Sequence, residues 1–484
     1  MHVSDVKKFL RCKKLYKLAT EDENSKPFPF MNINIDISES IKRKLDIKDT
    51  LSGEVNETAA DSFEKMNKCA WIFKARFEYN DLRVKIPLFH LIADNICDIY
   101  FINCSIYIND DMGIDMSLCQ YVLSNCGLQI RNIYLLYLNK DYIREKNLDD
   151  KKLWILTDSF SKNGNGKKIK DIVNKYSYDW NDLLQQMKDY HDEDFPNKQP
   201  GCSGRKRCSY YEKCFPDKVI KEDNSILTLV SGRYKEKMYD NGIRYLKDAD
   251  IDLIEGNRVQ YAQIMADKAD GLFVDKLALK DWLSRFEFPL SFIDFEWDLF
   301  PIPPYEMMKP MDVLLFQYSL HVYDGNELKH YEFIGEHDDR LPLLESLLQA
   351  IPQTGTILAY NANGAEKLRL KELSEYFPQY REQIEDITKR IVDMALPFIN
   401  GVVYDVRMRG NFTLKTLENM IDKEHSYNNL EVGNGVQAVE IHRLMEKSDD
   451  KEKLNYYKQL YEYCGLDSYS LYELYQWLNK ILSH

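Results

Sequence analysis

From Pro289 onward the chain offers its segments in an order that few folds accept. Strand-like "LSFIDFEW", "DVLLFQYSLHVYD" and "LKHYEFIG" come one after another; then helix "LPLLESLLQAI", strand "GTILAYN", helix "AEKLRLKELSEYF" and strand "KRIVDMAL" alternate before further helices. Three consecutive strands followed by alternating helices and strands predict an α/β fold, a mixed sheet flanked by helices. The first strand carries a second constraint. In "FIDFEWD", Ile293, Phe295 and Trp297 share one face while Asp294 and Glu296 share the other. Neighbouring carboxylates repel, and burying them unpaired costs several kcal/mol or raises their pKa values. Water at a sheet edge, two basic partners or a divalent cation must offset that charge.

A chain of 484 residues exceeds what one core ordinarily serves, so two or three domains are expected. The predicted division is 1–220, 221–286 as a helical connector that includes "SGRYKEKMYDNGIRYL" and "DKLALKDWLSRF", and 287–484. The first region opens with a helix and continues through strand-like "AWIFKARFEYNDLRVKI" and "RNIYLLYLN". With 44% hydrophobic and 30% charged residues the composition is that of a folded soluble protein. No apolar run is long enough to span a bilayer, and "MHVSDVKKFLRC" lacks a signal-peptide core, so a cytoplasmic protein with no membrane partner is expected. A net charge of −13 restricts any nucleic-acid contact to local patches, for which "KNGNGKKIKDIVNK" and "GRKRCSYYEK" are the candidates.

Further acids join the first pair. Glu366 opens a helix just past Asn361, and "YEYCGLDSYSLYELYQWL" puts Tyr463 and Asp467 four apart on one helical face. Four acids and a tyrosine that converge would hold Mg²⁺ or Mn²⁺, which prefer hard oxygen ligands, and two such ions can drive in-line attack on a phosphodiester. On "DFE", "YNANGAE" and "YCGLD", the segment from Phe292 to Leu478 resembles the DEDD exonuclease superfamily, tyrosine branch, with a ribonuclease-H-like fold. That resemblance implies Asp294, Glu296, Glu366 and Asp467 as metal ligands and Tyr463 as the residue orienting the attacking water. It also implies supporting places for Asn361 and for Asp393 of "RIVDMAL". The second motif departs from the family pattern, since the usual acid there is an aspartate closer to the asparagine.

Ten cysteines without a secretion signal argue for reduced thiols and metal binding. Cys12 lies in the opening helix, while Cys202, Cys208 and Cys214 form a C-x5-C-x5-C run; together they would clasp the ends of the region through one metal site. The spacing leaves zinc and iron–sulfur both open. "FLRCKKLYKL" and "CSGRKRCSYYEKC" resemble the iron–sulfur nucleases of the PD-(D/E)XK superfamily, which implies a [4Fe-4S] cluster and a restriction-endonuclease-like α/β domain. An active core of that type needs an aspartate on one strand and E-x-K on the next. Here Lys85 stands near the expected aspartate and Phe101 and Asn103 replace Glu and Lys, with Gln120 remaining on the helix, so the N-terminal nuclease site is read as lost. A register using Asp94 or Asp98 is the alternative.

Along nearly its full length, including "YNANGAEKLRLKEL", "RIVDMALPF", "FTLKTL" and "SYNNLEV", the chain is similar to a bacterial family built on a domain of unknown function. The function expected is a divalent-metal-dependent 3′-5′ exonuclease of DNA or RNA, single-stranded or with a free 3′ end, in repair or defence. In that reading the N-terminal region grips the strand. The rival is a non-catalytic nucleic-acid-binding or assembly protein built from two vestigial nuclease domains, and metal binding by the acids separates the two.

Overall fold

The computed structural model describes residues 1–22, 37–107, 111–160, 166–191, 202, 207–421 and 430–483. The chain forms two compact units, residues 1–214 with 299–312, and residues 215–298 with 313–484. The division therefore falls at Cys214, and the segment expected to be a separate connector belongs to the second unit. The excursion 299–312 belongs to the first, held by Arg144, whose N–H donates to Met308 O at 2.9 Å and whose guanidinium donates to Pro303 O at 2.7 Å.

The first unit is built on a six-stranded sheet in sequence order: β1 Leu51–Ser52, β2 Trp71–Tyr79, β3 Leu82–Ala93, β4 Ile96–Asn103, β5 Gln129–Leu138 and β6 Trp154–Thr157. Strands β2, β3 and β4 pair antiparallel as a meander, and β4 and β5 pair parallel. A parallel neighbour requires a crossover, which helix α1, Met112–Asn125, supplies. One face of the sheet buries Ile72, Phe77, Val84, Ile86, Phe89, Ile99 and Phe101 against that helix; the other buries Phe73, Leu88, Tyr100 and Leu136.

The second unit carries a five-stranded sheet made of β7 Leu290–Phe300, β8 Asp312–Tyr323, β9 Leu328–Ile334, β10 Ile357–Ala359 and β11 Ile391–Asp393. Its order is β9-β8-β7-β10-β11, with β8–β9 antiparallel and β7–β10 and β10–β11 parallel. The mixed sheet expected from segment order is what forms. Helix α2, Glu366–Tyr376, follows β10, and α3, Gly435–Met445, precedes the last helix α4, Asp450–Ser483. On one side Ile293 and Phe295 join Leu343, Leu347, Leu370 and Ile384 in a core; on the other Phe292 packs with Leu471, Leu474 and Leu478 of α4. No helix among the described residues is long and apolar enough to cross a membrane.

Candidate metal centre

Alternation along β7 sends Ile293 and Phe295 into the core and turns Asp294, Glu296 and Asp298 to the opposite face. The three acids meet different fates. Asp298, 1% exposed, accepts both arms of the Arg443 guanidinium, at 2.6 and 2.5 Å. Among the described residues Asp294 and Glu296 are paired with no such cation. One carboxylate oxygen from each lies within 4.8 Å of the other and of one from Asp467 on α4, the single group of three or more potential ligands of this kind among the described residues. Burial, then Asp467, push the pKa values of Asp294 and Glu296 well above the carboxylate range. Such burial and repulsion favour neutral carboxyls, and positive charge placed among them would favour the ionised form instead.

Glu366 opens α2, is 2% exposed, and its Oε2 is buried without a hydrogen-bond partner. Burial and the charges of Asp393 and Asp467 push its pKa up to about 8. Its carboxylate stands in the electrostatic reach of the cluster but not within the 4.8 Å group. Asp393 Oδ1 accepts from the N–H groups of Asn361 and Ala395, both at 2.9 Å, so it ties the end of β11 to the turn leading into α2. Asn361 occupies the left-handed region at φ 53°, which asparagine tolerates better than most residues. Tyr463 is 8% exposed, and burial with Asp467, Glu296 and Asp294 nearby raises its phenol pKa, so its hydroxyl keeps its proton.

Three features escaped the sequence reading. The thiol of buried Cys464 donates to Asp294 Oδ2 at 3.5 Å, directly beside the acids. The segment of α4 that presents Tyr463 and Asp467 is clamped by polar groups that β8 and β9 point inward. Gln317 Nε2 donates to Leu460 O at 2.9 Å, and Ser468 Oγ is hydrogen-bonded to Ser319 Oγ at 2.7 Å and His321 Nδ1 at 2.8 Å. His330 Nδ1 meets the Tyr461 hydroxyl at 3.0 Å while its Nε2 meets Ser319. Burial drives the His321 pKa down to about 3, so the imidazole there is neutral. The third feature is the turn Gly433–Asn434–Gly435 at the start of α3, where a Cβ on Gly435 would come 3.5 Å from Glu296 Oε2. A run of polar residues at i, i+2 and i+4 in an otherwise apolar strand, as in "QYSLH", was the available signal for the clamp.

In the first unit Cys12 does not lie inside the opening helix. It is extended, at φ −166°, between helices Val3–Arg11 and Lys13–Glu21. The Cys214 thiol pKa is raised by burial and then by Cys208, Cys12 and Cys202, with Lys14 opposing, so the other three thiols lie in the field of Cys214, though no three of the four have their sulfurs within 4.8 Å of one another. The Cys208 N–H donates to Cys202 O at 3.2 Å, and the Tyr210 hydroxyl reaches back to Asp22 at 3.0 Å. Of the two basic candidates, residues 161–165 and 203–206 lie outside the described residues, and Lys168 is paired with Asp158. Phe101 is in the core and the Asn103 amide donates to Tyr107 O. Lys85 alternates with buried Val84 and Ile86, which puts it on the opposite face from Phe101 rather than beside it. Asp98 is occupied by the Arg131 guanidinium and the Asn132 N–H, whereas Asp94 is exposed.

A family model, that of a domain of unknown function (DUF2779), matches residues 291–413. The matched stretch contains Asp294, Glu296, Asn361, Glu366 and Asp393 and ends before Tyr463 and Asp467. Neither curated proteins nor solved structures gave a match to the chain.

Proposed function

We propose that the second unit is a divalent-metal-dependent 3′-5′ exonuclease that hydrolyses phosphodiester bonds of DNA or RNA. One observation carries the reading: Asp294, Glu296 and Asp467 bring one carboxylate oxygen each within 4.8 Å of one another, and among the described residues no cation is paired with Asp294 or Glu296, while Asp298 on the same strand face has Arg443. The donor set is all oxygen, which fits Mg²⁺ or Mn²⁺. When bound, such ions polarise a phosphodiester and acidify a water. Asp294, Glu296 and Asp467 would hold them, with Glu366 contributing its partnerless Oε2. Tyr463, protonated at all working pH values, donates a hydrogen bond that orients the attacking water. Asp393 fixes the turn that presents Glu366, and the clamp on α4 holds Asp467 and Tyr463 in register with β7. The strand order, with the acid-bearing strand central, supports a ribonuclease-H-like reading of this unit.

The first unit, read as a degenerate PD-(D/E)XK-like domain, would bind the strand without cutting it; the meander, crossover helix and parallel fourth strand support that reading, as does the apolar Phe101. A [4Fe-4S] cluster held by Cys12, Cys202, Cys208 and Cys214 is the reading for its cysteines, supported by the electrostatic effect of the other three thiols on Cys214.

End-labelled DNA and RNA oligonucleotides with Mn²⁺ test the proposal. Stepwise shortening from the 3′ end is expected with the parent, none with Asp294→Asn, and slowed cutting at unchanged Mn²⁺ affinity with Tyr463→Phe. Equal cutting by parent and Asp294→Asn would assign the activity elsewhere.

A further inference from the structure

In the second unit a short strand, Leu272–Val274, pairs antiparallel with Val403–Asp405 and leaves a hollow between itself and the end of α4. On α4, Trp477, Lys480 and Ile481 stand at i, i+3 and i+4 and so share one helical face. That face, with Leu272, Phe273 and Val274, lines a space of about 540 Å³, within the roughly 300–1,000 Å³ of small-molecule sites. Two of the lining side chains are aromatic. Trp477 packs against Phe398, ring centroids 6.4 Å and planes 21° apart, and Phe273 is set edge-on to Tyr261 at 5.8 Å. Each ring is thus held by a neighbouring ring.

The two polar side chains that line the hollow are both cations, Lys276 and Lys480, and no acid lines it. Lys276 opens the helix Lys276–Leu283, Lys480 stands in the last turn of α4, and among the described residues neither is in an ion pair. The neighbouring acid in sequence, Asp275, is occupied: its carboxylate accepts from the Ala278 N–H at 3.0 Å and pairs with Arg258. Surface lysines alone say little. These two share an aromatic, acid-free hollow in a chain of net charge −13. An anion with a flat apolar body satisfies both kinds of wall. A nucleotide is such a molecule, since its base stacks on aromatic rings while its phosphate takes cations.

We propose that this hollow seats one nucleotide of the strand whose 3′ end reaches the acid cluster, its base against Trp477 and Phe273 and its phosphates on Lys276 and Lys480. The proposal rests on the exonuclease reading for the identity of the ligand. Trp477 lies ten residues beyond Asp467 on α4, about 15 Å along the axis, so one continuous helix carries both places. The seat holds a nucleotide upstream of the bond being cut and keeps the strand engaged between cuts.

Binding of a fluorescein-labelled single-stranded oligothymidylate to the full chain is followed by anisotropy in EDTA, where metal-dependent cutting is absent, over a series of salt concentrations. An oligomer of the same length made of abasic units is the arm without bases. The parent should bind the base-bearing oligomer about tenfold more tightly than the abasic one, and Trp477→Ala should remove most of that preference. Lys276→Gln combined with Lys480→Gln changes two exposed side chains and leaves the aromatic wall intact. It should weaken both oligomers and lower the slope of log K against log salt by about 0.7 per lysine. If Trp477→Ala melts below the parent, the lysine variant carries the test. A lysine variant with the affinity and salt slope of the parent overturns the seat, as does a parent that does not distinguish the two oligomers. A parent that binds neither oligomer also overturns it, and dimers dissociated by Lys480→Glu would then give the hollow to a second copy of the chain. Mn²⁺ separates this proposal from the reading it rests on. A parent that holds the strand through the lysines but shortens none sinks the exonuclease reading and leaves the seat standing. Shortening by a parent whose lysine variant binds unchanged sinks the seat alone.

Discussion

Asp294→Asn preserves the volume of a half-buried side chain and removes its charge, so metal and repulsion can be weighed against each other in one variant. Without metal, Asp294, Glu296 and Glu366 have folded-state pKa values above their unfolded ones. The folded state then binds more protons than the unfolded state, so stability is present at low pH and is lost as pH rises from the unfolded carboxylate range through the folded values. For Glu366, raised from 4.5 to about 8, the span corresponds to as much as about 5 kcal/mol between pH 4 and pH 9. The metal-free parent should therefore melt progressively lower as pH rises across that window. Asp294→Asn removes one repelling charge and should flatten the fall. Mn²⁺ reverses the comparison. At a hundredfold excess over Kd the ion stabilises the parent by about 2.7 kcal/mol. That is roughly 5–10 °C for a domain of this size. The variant, one ligand short, should gain much less. Differential scanning fluorimetry from pH 5 to 9, with and without Mn²⁺, reads all four curves. A metal-free variant that melts far below the parent yet binds Mn²⁺ as tightly would show that Asp294 is a structural ion-pair member, and the reasoning would be refuted.

Arg443→Met should behave in the opposite way: it strands the buried Asp298 and lowers stability by about 3–5 kcal/mol whether or not Mn²⁺ is present, measured by urea unfolding. Ser468→Ala removes the hydroxyl shared by Ser319 and His321 and should cost about 1–3 kcal/mol, with a weakened Mn²⁺ response if the clamp sets the place of Asp467. Protein purified without oxygen should be brown and carry about four iron atoms per chain. Cys208→Ser should lose the iron and destabilise the first unit while the second unit melts unchanged, and stoichiometric zinc with no iron would remove the cluster from the account. Asp98→Asn should lower stability by about 1–3 kcal/mol through loss of its Arg131 pairing, without changing any cutting rate.

Much of the second unit was legible because its information is local. Period-two alternation in "FIDFEWD" announced both the strand and the face on which the acids stand, and the succession of segments announced a mixed sheet. The four-residue spacing of Tyr463 and Asp467 placed them on one face of α4 for the same reason. The first unit's meander was likewise readable from the apolar alternation in β2 and β3.

Other matters depend on which distant residues meet, and pattern has no access to that. Asp294 and Asp298 look alike in sequence, yet among the described residues it is Asp298 that receives an arginine, from a helix that begins far along the chain. The inward polar residues of β8 and β9 acquire a purpose only when Leu460, Tyr461 and Ser468 of α4 arrive to share their hydrogen bonds. Lys85 lies on the face away from Phe101 because the side-chain alternation of β3 decides its direction, and a linear alignment of motifs does not carry that direction. The sequence by itself determined the elements, the core faces and the supply of acids, since these follow from side-chain period and type. Only the tertiary structure decided which charges are paired within the protein and which acids are brought together, because pairing is a property of distance in space.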